Sequence, residues 1–363
     1  MRNGYRIVDA DGHVQEPADL WERWLDPELL PDAPVLGANG WTWRGQPVTT
    51  KLSDSVRATF AAQTRQHYAD FLAAGWSAAS QLDAMDRMGV DVSYLYPTMG
   101  LFLWHQDDLP AALATGMTRE YNDWLHDFCH LEPSRLRPVT ALSLMDVDTA
   151  VGEARRGREQ YGTAAVYLRP NPVQGRTLAS PELEPLWAYC ESEGIAVGLH
   201  EGAHARVRTA GQDRYETDFS LWSCSHPMEM MMAFASLLEG GVLERHPQLR
   251  VAFLEAGCGW VPYWLWRLDE RWENVAAEVA STVTMPPSRY FRRQCWVALE
   301  ADEPYLGELV DTIGADRLLF ASDYPHPDHR PDLTDALVAL EGRLSPPVLR
   351  QILEQNADAF YAS

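Results

Sequence analysis

The feature that most constrains the fold of this chain is a regular alternation of short apolar runs with segments of helical periodicity. The apolar runs end near residues 14, 97, 144, 168, 200, 255, 300 and 323, and a helical segment follows each of them. Eight such units within 363 residues predict an α/β fold, a closed (β/α)8 TIM barrel, in preference to an open doubly wound sheet.

Residues 31–76 interrupt this alternation and form an aromatic-rich insertion after the first strand. A hairpin that turns at Gly45 is expected within residues 36–48. The aromatic side chains of the insertion either cover an active site, support a subunit contact or pack on the outside of the barrel. Because no linker or low-complexity tract is present, we expect a single domain over residues 1–363.

The first strand ends in a run of acidic and imidazole side chains. The two-residue period of a strand places Asp9, Asp11 and His13 on one side. Burying two carboxylates beside a histidine is costly unless a positive charge lies between them, and a divalent cation is the simplest such charge. A strand end that frays into solvent is the alternative.

Matching groups recur where later strands end, namely His200, Glu255 and Asp323. The C-terminal ends of barrel strands form the functional face, so these side chains should converge with Asp11 and His13. Imidazole and carboxylate groups without thiolate suit one divalent metal ion, with Zn favoured and Mn or Fe as alternatives. A lone histidine at a strand end is more often a core or loop residue, but several ligands on one rim are harder to explain in that way.

The amino-acid composition limits the binding partners, the number of metal ions and the cellular location that we expect. The formal net charge of -22 argues against nucleic acid and anionic membranes, since phosphates would be repelled. Lys51 is the only lysine, which favours a single metal over a pair bridged by a carbamylated lysine. Five cysteines without CxxC spacing indicate reduced thiols in a cytoplasmic protein, and neither a signal segment nor a membrane span is expected.

Four motifs resemble the amidohydrolase superfamily: residues 9–13 (DADGH), 198–200 (GLH), 240–251 (GGVLERHPQLRV) and 322–326 (SDYPH). They are most similar to the branch of aminocarboxymuconate-semialdehyde decarboxylase and the resorcylate-type decarboxylases. The resemblance spans the chain from the first strand to the eighth and implies a metal-dependent (β/α)8 barrel. It implies that Asp11, His13, His200 and Asp323 are metal ligands, and by analogy with relatives that the protein is a homodimer.

The chain departs from this family pattern at two strands. The first-strand HxH pair is replaced by Asp11 and His13, and the strand-six histidine is replaced by Glu255. A glutamate needs a pKa raised by burial to transfer protons near neutrality, so Glu255 either does this or binds the metal. His226, expected at the start of the helix after strand five, is a possible replacement for the missing histidine; a helix-start histidine bonded to backbone is the alternative.

Four further residues are assigned to substrate binding. Arg169 follows strand four and could grip a substrate carboxylate through two hydrogen bonds, although a structural ion pair explains it equally well. Trp260 and Tyr324 could wall the pocket. His326 either orients Asp323 or contacts the substrate.

The leading functional hypothesis is a metal-dependent hydrolase of a small substrate that is cyclic or bears a carboxylate. The metal would activate a water molecule, Asp323 would accept its proton, and Glu255 or His226 would protonate the leaving group. The first alternative is a metal-dependent non-oxidative decarboxylase of a small aromatic or unsaturated acid. The second is a catalytically inactive barrel used for binding.

Overall fold

The computed structural model describes residues 3–37, 40–49, 53–327 and 332–362. Within these ranges the strands are β1 (Val8–Val14), β2 (Val35–Gly37), β3 (Gly40–Trp43), β4 (Gln46–Pro47), β5 (Val92–Pro97), β6 (Leu136–Pro138), β7 (Thr140–Ala141), β8 (Ala165–Leu168), β9 (Ala196–Leu199), β10 (Val251–Phe253), β11 (Cys295–Leu299) and β12 (Leu318–Phe320). Lys51, on which the single-metal argument rests, lies outside the described residues.

The α-helices are α1 (Leu20–Trp24), α2 (Asp54–Ala73), α3 (Ala78–Met88), α4 (Gly100–Leu103), α5 (Ala111–Cys129), α6 (Val147–Tyr161), α7 (Glu184–Ser192), α8 (Asp218–Glu239), α9 (Val242–Arg245), α10 (Trp260–Val275), α11 (Pro287–Gln294), α12 (Leu306–Ile313), α13 (Leu333–Val338), α14 (Pro346–Arg350) and α15 (Asn356–Phe360). Short 3-10 segments lie at Leu30–Asp32, Pro181–Leu183, Ala276–Glu278, Ala315–Arg317 and Ala339–Gly342, and a π-helical turn lies at Gln351–Gln355. Across these described segments, none combines the length and apolarity that a membrane-spanning helix requires.

The strands pair in parallel and in chain order around a barrel. One run is β1–β5–β6 and the other is β7–β8–β9–β10–β11–β12. β6 and β7 are consecutive parts of one barrel strand, separated by Val139, whose N–H donates to Leu95 O at 3.2 Å. Every residue of β8, β9, β10 and β11 is buried, as expected for strands covered by helices outside and by packed side chains inside.

The barrel closes between the segment after β12 and β1. Asp323 N donates to Asp11 O at 2.9 Å, and His13 N donates to Tyr324 O at 2.7 Å. Counting β6 and β7 as one strand, the described residues supply eight barrel strands, so the predicted (β/α)8 barrel is confirmed. Closure also places the ends of the first and last barrel strands side by side.

The helix after β9 begins earlier than the sequence suggests. A helix over residues 228–238 is the sequence-based expectation, since proline usually marks a helix boundary. The observed α8 begins at Asp218 and contains Pro227, and its N-terminus is capped by Thr217 Oγ1, which accepts from Ser220 N at 3.3 Å. His226 therefore lies inside a helix and not at its start.

The insertion after β1 consists of a small antiparallel sheet and a long helix. β2, β3 and β4 pair antiparallel, and the β3–β4 turn includes Gly45 at a φ of 75°, as predicted. The helix α2 then runs for 20 residues. The insertion contacts the loop after β9, because Arg206 Nη1 donates to Pro47 O at 3.0 Å and Thr49 forms a β-bridge with Ala205.

Candidate active site

Four side chains from three distant segments meet where β1, β9 and β12 end. Asp11, His13, His200 and Asp323 are buried, and their potential ligand atoms lie within 4.8 Å of one another. His13 Nε2 lies 2.8 Å from Asp323 Oδ1, and His200 Nε2 lies 3.5 Å from Asp11 Oδ2. These are the side chains to which the family resemblance assigns metal binding.

Both histidines of this group direct their Nε2 atom towards the other potential ligand atoms. The Nδ1–H of His13 donates to Pro97 O at 2.9 Å, and that of His200 donates to Glu201 O at 2.8 Å. Each Nε2 therefore carries a lone pair, and among the described residues neither makes a hydrogen bond. Burial lowers the pKa of both imidazoles to about 3, so both are neutral at pH 7. Two neutral imidazoles and two carboxylates fit a divalent cation.

Asp9 does not join this group, contrary to the alternating pattern expected of β1. The pairing register between β1 and β5 shifts between Asp9 and Gly12, so the two-residue period fails there. Asp9 instead accepts from Ser93 Oγ at 2.8 Å, and from Ser322 N at 2.8 Å and Ser322 Oγ at 2.7 Å. It ties β1 to the loop that carries Asp323.

Glu255 lies next to the ligand group, two residues after β10. Its Oε2 is 3.0 Å from His200 Nε2, while its Oε1 is 3.7 Å from His226 Nε2 and 3.8 Å from His326 Nδ1. Glu303 supports this loop, since its carboxylate accepts from the N–H groups of Cys258 and Gly259 at 2.8 and 2.7 Å. The position allows both roles that the sequence leaves open, metal ligand and proton donor.

His226 is part of a buried polar chain. Its Nδ1 lies 3.5 Å from Glu201 Oε2 and its ring stacks on Trp222, with ring centroids 4.8 Å apart. Glu201 Oε1 in turn accepts from Arg169 Nη2 at 3.0 Å and from Asn171 Nδ2 at 3.2 Å. The Nδ1 of His226 is hydrogen-bonded to Ser225 Oγ at 3.2 Å, so Glu201 binds Arg169 directly and lies beside the imidazole that faces Glu255.

The assignment of Arg169 to substrate binding is therefore corrected. The residue is 1% exposed, and besides Glu201 its guanidinium donates to Leu101 O, Gly202 O and Asn171 Oδ1. With these donors engaged by the protein, Arg169 forms the structural ion pair that was the alternative. A strand-end position did not reveal how many carbonyls the neighbouring loops would bring to it.

A cavity of about 1160 Å³ opens beside this group. Glu201, His226, Glu255 and His326 belong to its wall, whereas the four clustered side chains lie behind them. His326 connects the two, because its Nδ1–H donates to Asp323 Oδ2 at 2.9 Å and its ring stacks on His13 with centroids 4.1 Å apart. It is thus placed both to orient Asp323 and to face the cavity.

Two aromatic residues assigned to the pocket wall lie elsewhere, which corrects the prediction. Tyr324 is buried between Tyr68 and Phe71 of α2, with ring centroids at 5.2 and 5.8 Å. Trp260 is buried against Phe253 with centroids 5.6 Å apart. Neither is part of the cavity wall, because each side chain is buried against these aromatic neighbours.

The cavity wall is instead supplied by aromatic residues of the insertion, for which the sequence left covering of the site as one possibility, and by two aromatic residues that it did not single out. They are Trp41, Phe60 and Trp76 of the insertion, Phe102 after β5, and Trp222 of α8. The insertion thus covers the site, which was one of three possibilities for its aromatics. Arg57, also on α2, is the only lysine or arginine on the wall among the described residues. The one signal available in the sequence was the aromatic content of the insertion.

Comparisons with known proteins agree with this geometry. A family model described as amidohydrolase matches residues 8–362. The chain is 27% identical over 256 residues to 2-amino-3-carboxymuconate-6-semialdehyde decarboxylase of Dictyostelium discoideum. This alignment covers 69% of this chain and 67% of the relative. It is 26% identical over 228 residues to gamma-resorcylate decarboxylase of Rhodococcus jostii, covering 58% and 67% respectively.

Solved structures share the whole fold. An amidohydrolase from Mycobacterium avium subsp. paratuberculosis superposes with a TM-score of 0.80 at 22% identity, covering 99% of this chain and 98% of the other. A 5-carboxyvanillate decarboxylase from Novosphingobium aromaticivorans, solved with manganese and 4-hydroxy-3-methoxy-5-nitrobenzoic acid, has a TM-score of 0.74 at 18% identity, covering 100% and 97%. At these identities the likeness establishes the barrel.

The relatives overturn the hydrolase hypothesis and confirm the resemblance to the decarboxylase branch. Both of the relatives named above are decarboxylases, so the prediction of hydrolysis as the main activity is wrong and its first alternative is the better one. Hydrolysis was predicted because the sequence motifs indicate only the metal ligands. They do not specify which bond of the substrate breaks. Both relatives are enzymes, which favours an enzyme over a catalytically inactive barrel.

Proposed function

Because the chain belongs to the amidohydrolase family, we propose that it is a metal-dependent, non-oxidative decarboxylase of an aromatic or unsaturated carboxylic acid. The observation that carries the proposal is the arrangement of Glu255, His226 and His326 on a cavity wall directly in front of a buried cluster of two carboxylates and two neutral imidazoles. The decarboxylase activity of both curated relatives supports it.

Asp11, His13, His200 and Asp323 are proposed to hold one divalent ion. When bound, such an ion supplies positive charge that draws electron density from the substrate carboxylate and a neighbouring oxygen. The sequence favours Zn, while the solved carboxyvanillate decarboxylase contains manganese, and nitrogen and oxygen ligands suit both. Reconstitution of metal-depleted protein with Zn, Mn or Fe distinguishes them.

The side chains on the cavity wall are proposed to supply the proton that the reaction consumes. A proton adds to the carbon that bears the carboxylate, the carbon–carbon bond breaks, its electron pair stays on the ring, and carbon dioxide leaves. His226 and Glu255 are the proposed donor pair, and the imidazole is proposed to be oriented at Nδ1 by Ser225 Oγ at 3.2 Å, with the Glu201 carboxylate nearby at 3.5 Å. His326 is proposed to orient Asp323 and to contact the substrate.

The substrate of the site is a small molecule. We propose a homodimer, supported by exposed Met232, Tyr263 and Trp266 on the neighbouring helices α8 and α10; sedimentation velocity measures its mass. We propose a cytoplasmic location, supported by the five cysteines, all of which are free thiols.

The proposal is tested by measuring carbon dioxide release from a panel of hydroxybenzoic acids by metal-reconstituted protein, with amide and lactone hydrolysis measured in parallel. Release of carbon dioxide is expected, and Glu255→Gln and His226→Asn should each lower its rate at least about 100-fold, the usual contribution of a general acid.

The control is His130→Asn, because His130 is exposed at the end of α5; it should retain the wild-type rate. Hydrolysis without carbon dioxide release would overturn the proposal. Full activity of both Glu255→Gln and His226→Asn would overturn the assignment of the proton donors.

A further inference from the structure

The cavity is larger than a one-ring acid requires. Its volume of about 1160 Å³ exceeds the range of about 300–1,000 Å³ that holds drug-sized ligands. Its lining comes both from the barrel loops and from the insertion, so a ligand confined to the barrel end would leave the insertion walls without contact.

The cavity has two parts, which differ in the polarity of the side chains that line them. The inner part presents titratable side chains, among them Glu16, Glu201, His226, Glu255 and His326. The outer part is formed mainly by apolar side chains, namely Trp41, Val48, Phe60, Trp76, Phe102 and Trp222. Its charged residues include Asp54, which is exposed, and Arg57, which is half-buried; the Arg57 Nε and Asp54 Oδ1 atoms lie 3.8 Å apart. An apolar wall stabilises an apolar ligand by removing its surface from water.

The outer wall is an ordered part of the fold. Phe60 of α2 packs edge-to-face on Trp222 of α8, with ring centroids 6.1 Å apart. Trp222 also stacks on His226, so one aromatic side chain joins the apolar wall to the proposed proton donor. The Arg206–Pro47 hydrogen bond and the Thr49–Ala205 bridge hold the hairpin against the loop after β9.

We propose that the substrate is an extended aromatic acid, in which the ring that loses its carboxylate is joined to a second ring or an apolar group of similar size. The reacting end lies at Glu255 and His226, and the extension lies between Phe60, Trp41 and Trp222. This inference rests on the proposed function for the identity of the reacting group and on the cavity for the extension.

The test measures equilibrium binding of unreactive probes by titration calorimetry. 2-Nitrophenol is the one-ring probe, and 1-nitro-2-naphthol and 4-phenyl-2-nitrophenol are the extended probes; each carries a nitro group in place of the carboxylate and cannot lose carbon dioxide. At least one extended probe should bind about tenfold more tightly than 2-nitrophenol, or about 1.4 kcal/mol, from the added apolar area.

Substitutions of Phe60 test whether the preference for extended probes arises at the outer wall of the cavity. Phe60→Ala should reduce the preference for the extended probe to about threefold or less while changing the affinity for 2-nitrophenol less than about twofold, and Phe60→Leu should be intermediate. Phe219→Ala is the matched control, because Phe219 lies on α8, is 81% exposed and is not part of the cavity wall. It should change neither affinity.

The outcomes separate the two proposals. Equal or weaker binding of both extended probes, or a preference that survives Phe60→Ala, overturns the extended substrate whether or not carbon dioxide is released from one-ring acids. A preference abolished by Phe60→Ala supports it, even if the decarboxylation assay fails, because binding is measured without turnover.

Discussion

Two residues of the candidate site hold backbone conformations that non-glycine residues rarely adopt. Glu255 has a φ of 48° and Asp323 a φ of 50°, both in the left-handed region, which costs roughly 1–2 kcal/mol for a residue with a Cβ. Surrounding hydrogen bonds maintain them: Glu303 binds the loop after Glu255, and Asp323 N donates to Asp11 O. Strain of this kind is concentrated at functional sites, and here the Glu255 carboxylate lies 3.0 Å from His200 Nε2 while the Asp323 carboxylate lies 2.8 Å from His13 Nε2.

Removal of one proposed ligand should remove the metal and leave the fold. His200→Gln is expected to lower the metal content from about one ion per chain to a small fraction of that, because an amide is a much weaker metal ligand than the imidazole nitrogen it replaces. Elemental analysis of the purified protein measures this, and circular dichroism checks the fold.

His204→Gln is the matched control for this variant. His204 lies on the cavity wall, with Nε2 at 2.6 Å from Asp218 Oδ1, and is outside the ligand group. The control should retain its metal. Full metal content in His200→Gln would contradict the assigned ligand set.

At the scale of single elements, local capping residues determine where an outer helix such as α6 begins and ends. The N-cap of α6 is Asp146, whose carboxylate accepts from Thr149 N at 2.9 Å, and its C-cap is Gly162 with a φ of 64°. These are the usual N-cap and C-cap signals. The sequence predicts a helix over residues 147–161, and the structure has the same bounds, because neither signal depends on tertiary contacts. By contrast, α8 continues through Pro227, since packing overrides a local boundary signal there.

Two glycine substitutions in this helix should have opposite signs. Gly162→Ala should lower the free energy of unfolding by about 1 kcal/mol, because alanine disfavours a positive φ. Gly152→Ala, in the exposed middle of α6, should raise it by about 0.5–1 kcal/mol, because alanine is the better helix former. A Cβ at either position meets no atom within 4 Å, so the comparison isolates backbone preference.

Urea unfolding of both variants beside the wild type measures this difference. A destabilising Gly152→Ala, or a neutral Gly162→Ala, would contradict the account of α6.

At the scale of the whole molecule, barrel closure buries neutral histidines that would be protonated in an unfolded chain. Burial lowers the pKa of His13 and His200 to about 3, against about 6.5 for the unfolded chain. Between pH 3 and 6.5 the unfolded state therefore binds more protons at these sites. Stability of the metal-depleted protein must fall as pH decreases through this window, while above pH 6.5 the two histidines contribute no pH dependence.

The expected slope is up to about 1.4 kcal/mol per pH unit for each of the two histidines. Urea unfolding in the presence of a chelator, at pH values from 7.5 to 5, measures it. His200→Gln should reduce the slope by about the contribution of one histidine, whereas His130→Asn, at an exposed position, should leave it unchanged. An identical slope in His200→Gln and the wild type would contradict burial of a neutral His200.

The sequence by itself determined the eight strand–helix units and the residues that end the strands, because periodicity and capping are local and parallel strands in a barrel share one functional end. Asp11, His13, His200 and Asp323 could be found in this way. The reaction could not, since the same ligands serve hydrolysis and decarboxylation.

Only the tertiary structure decided what each remaining side chain contacts. Arg169 binds Glu201 and backbone carbonyls, and Asp9 binds Ser93 and Ser322. These partners are distant in the chain or lie on loops whose path no local pattern predicts. Likewise, whether the insertion covers the site or packs elsewhere depends on its docking against the barrel, which is determined by contacts among residues far apart in sequence.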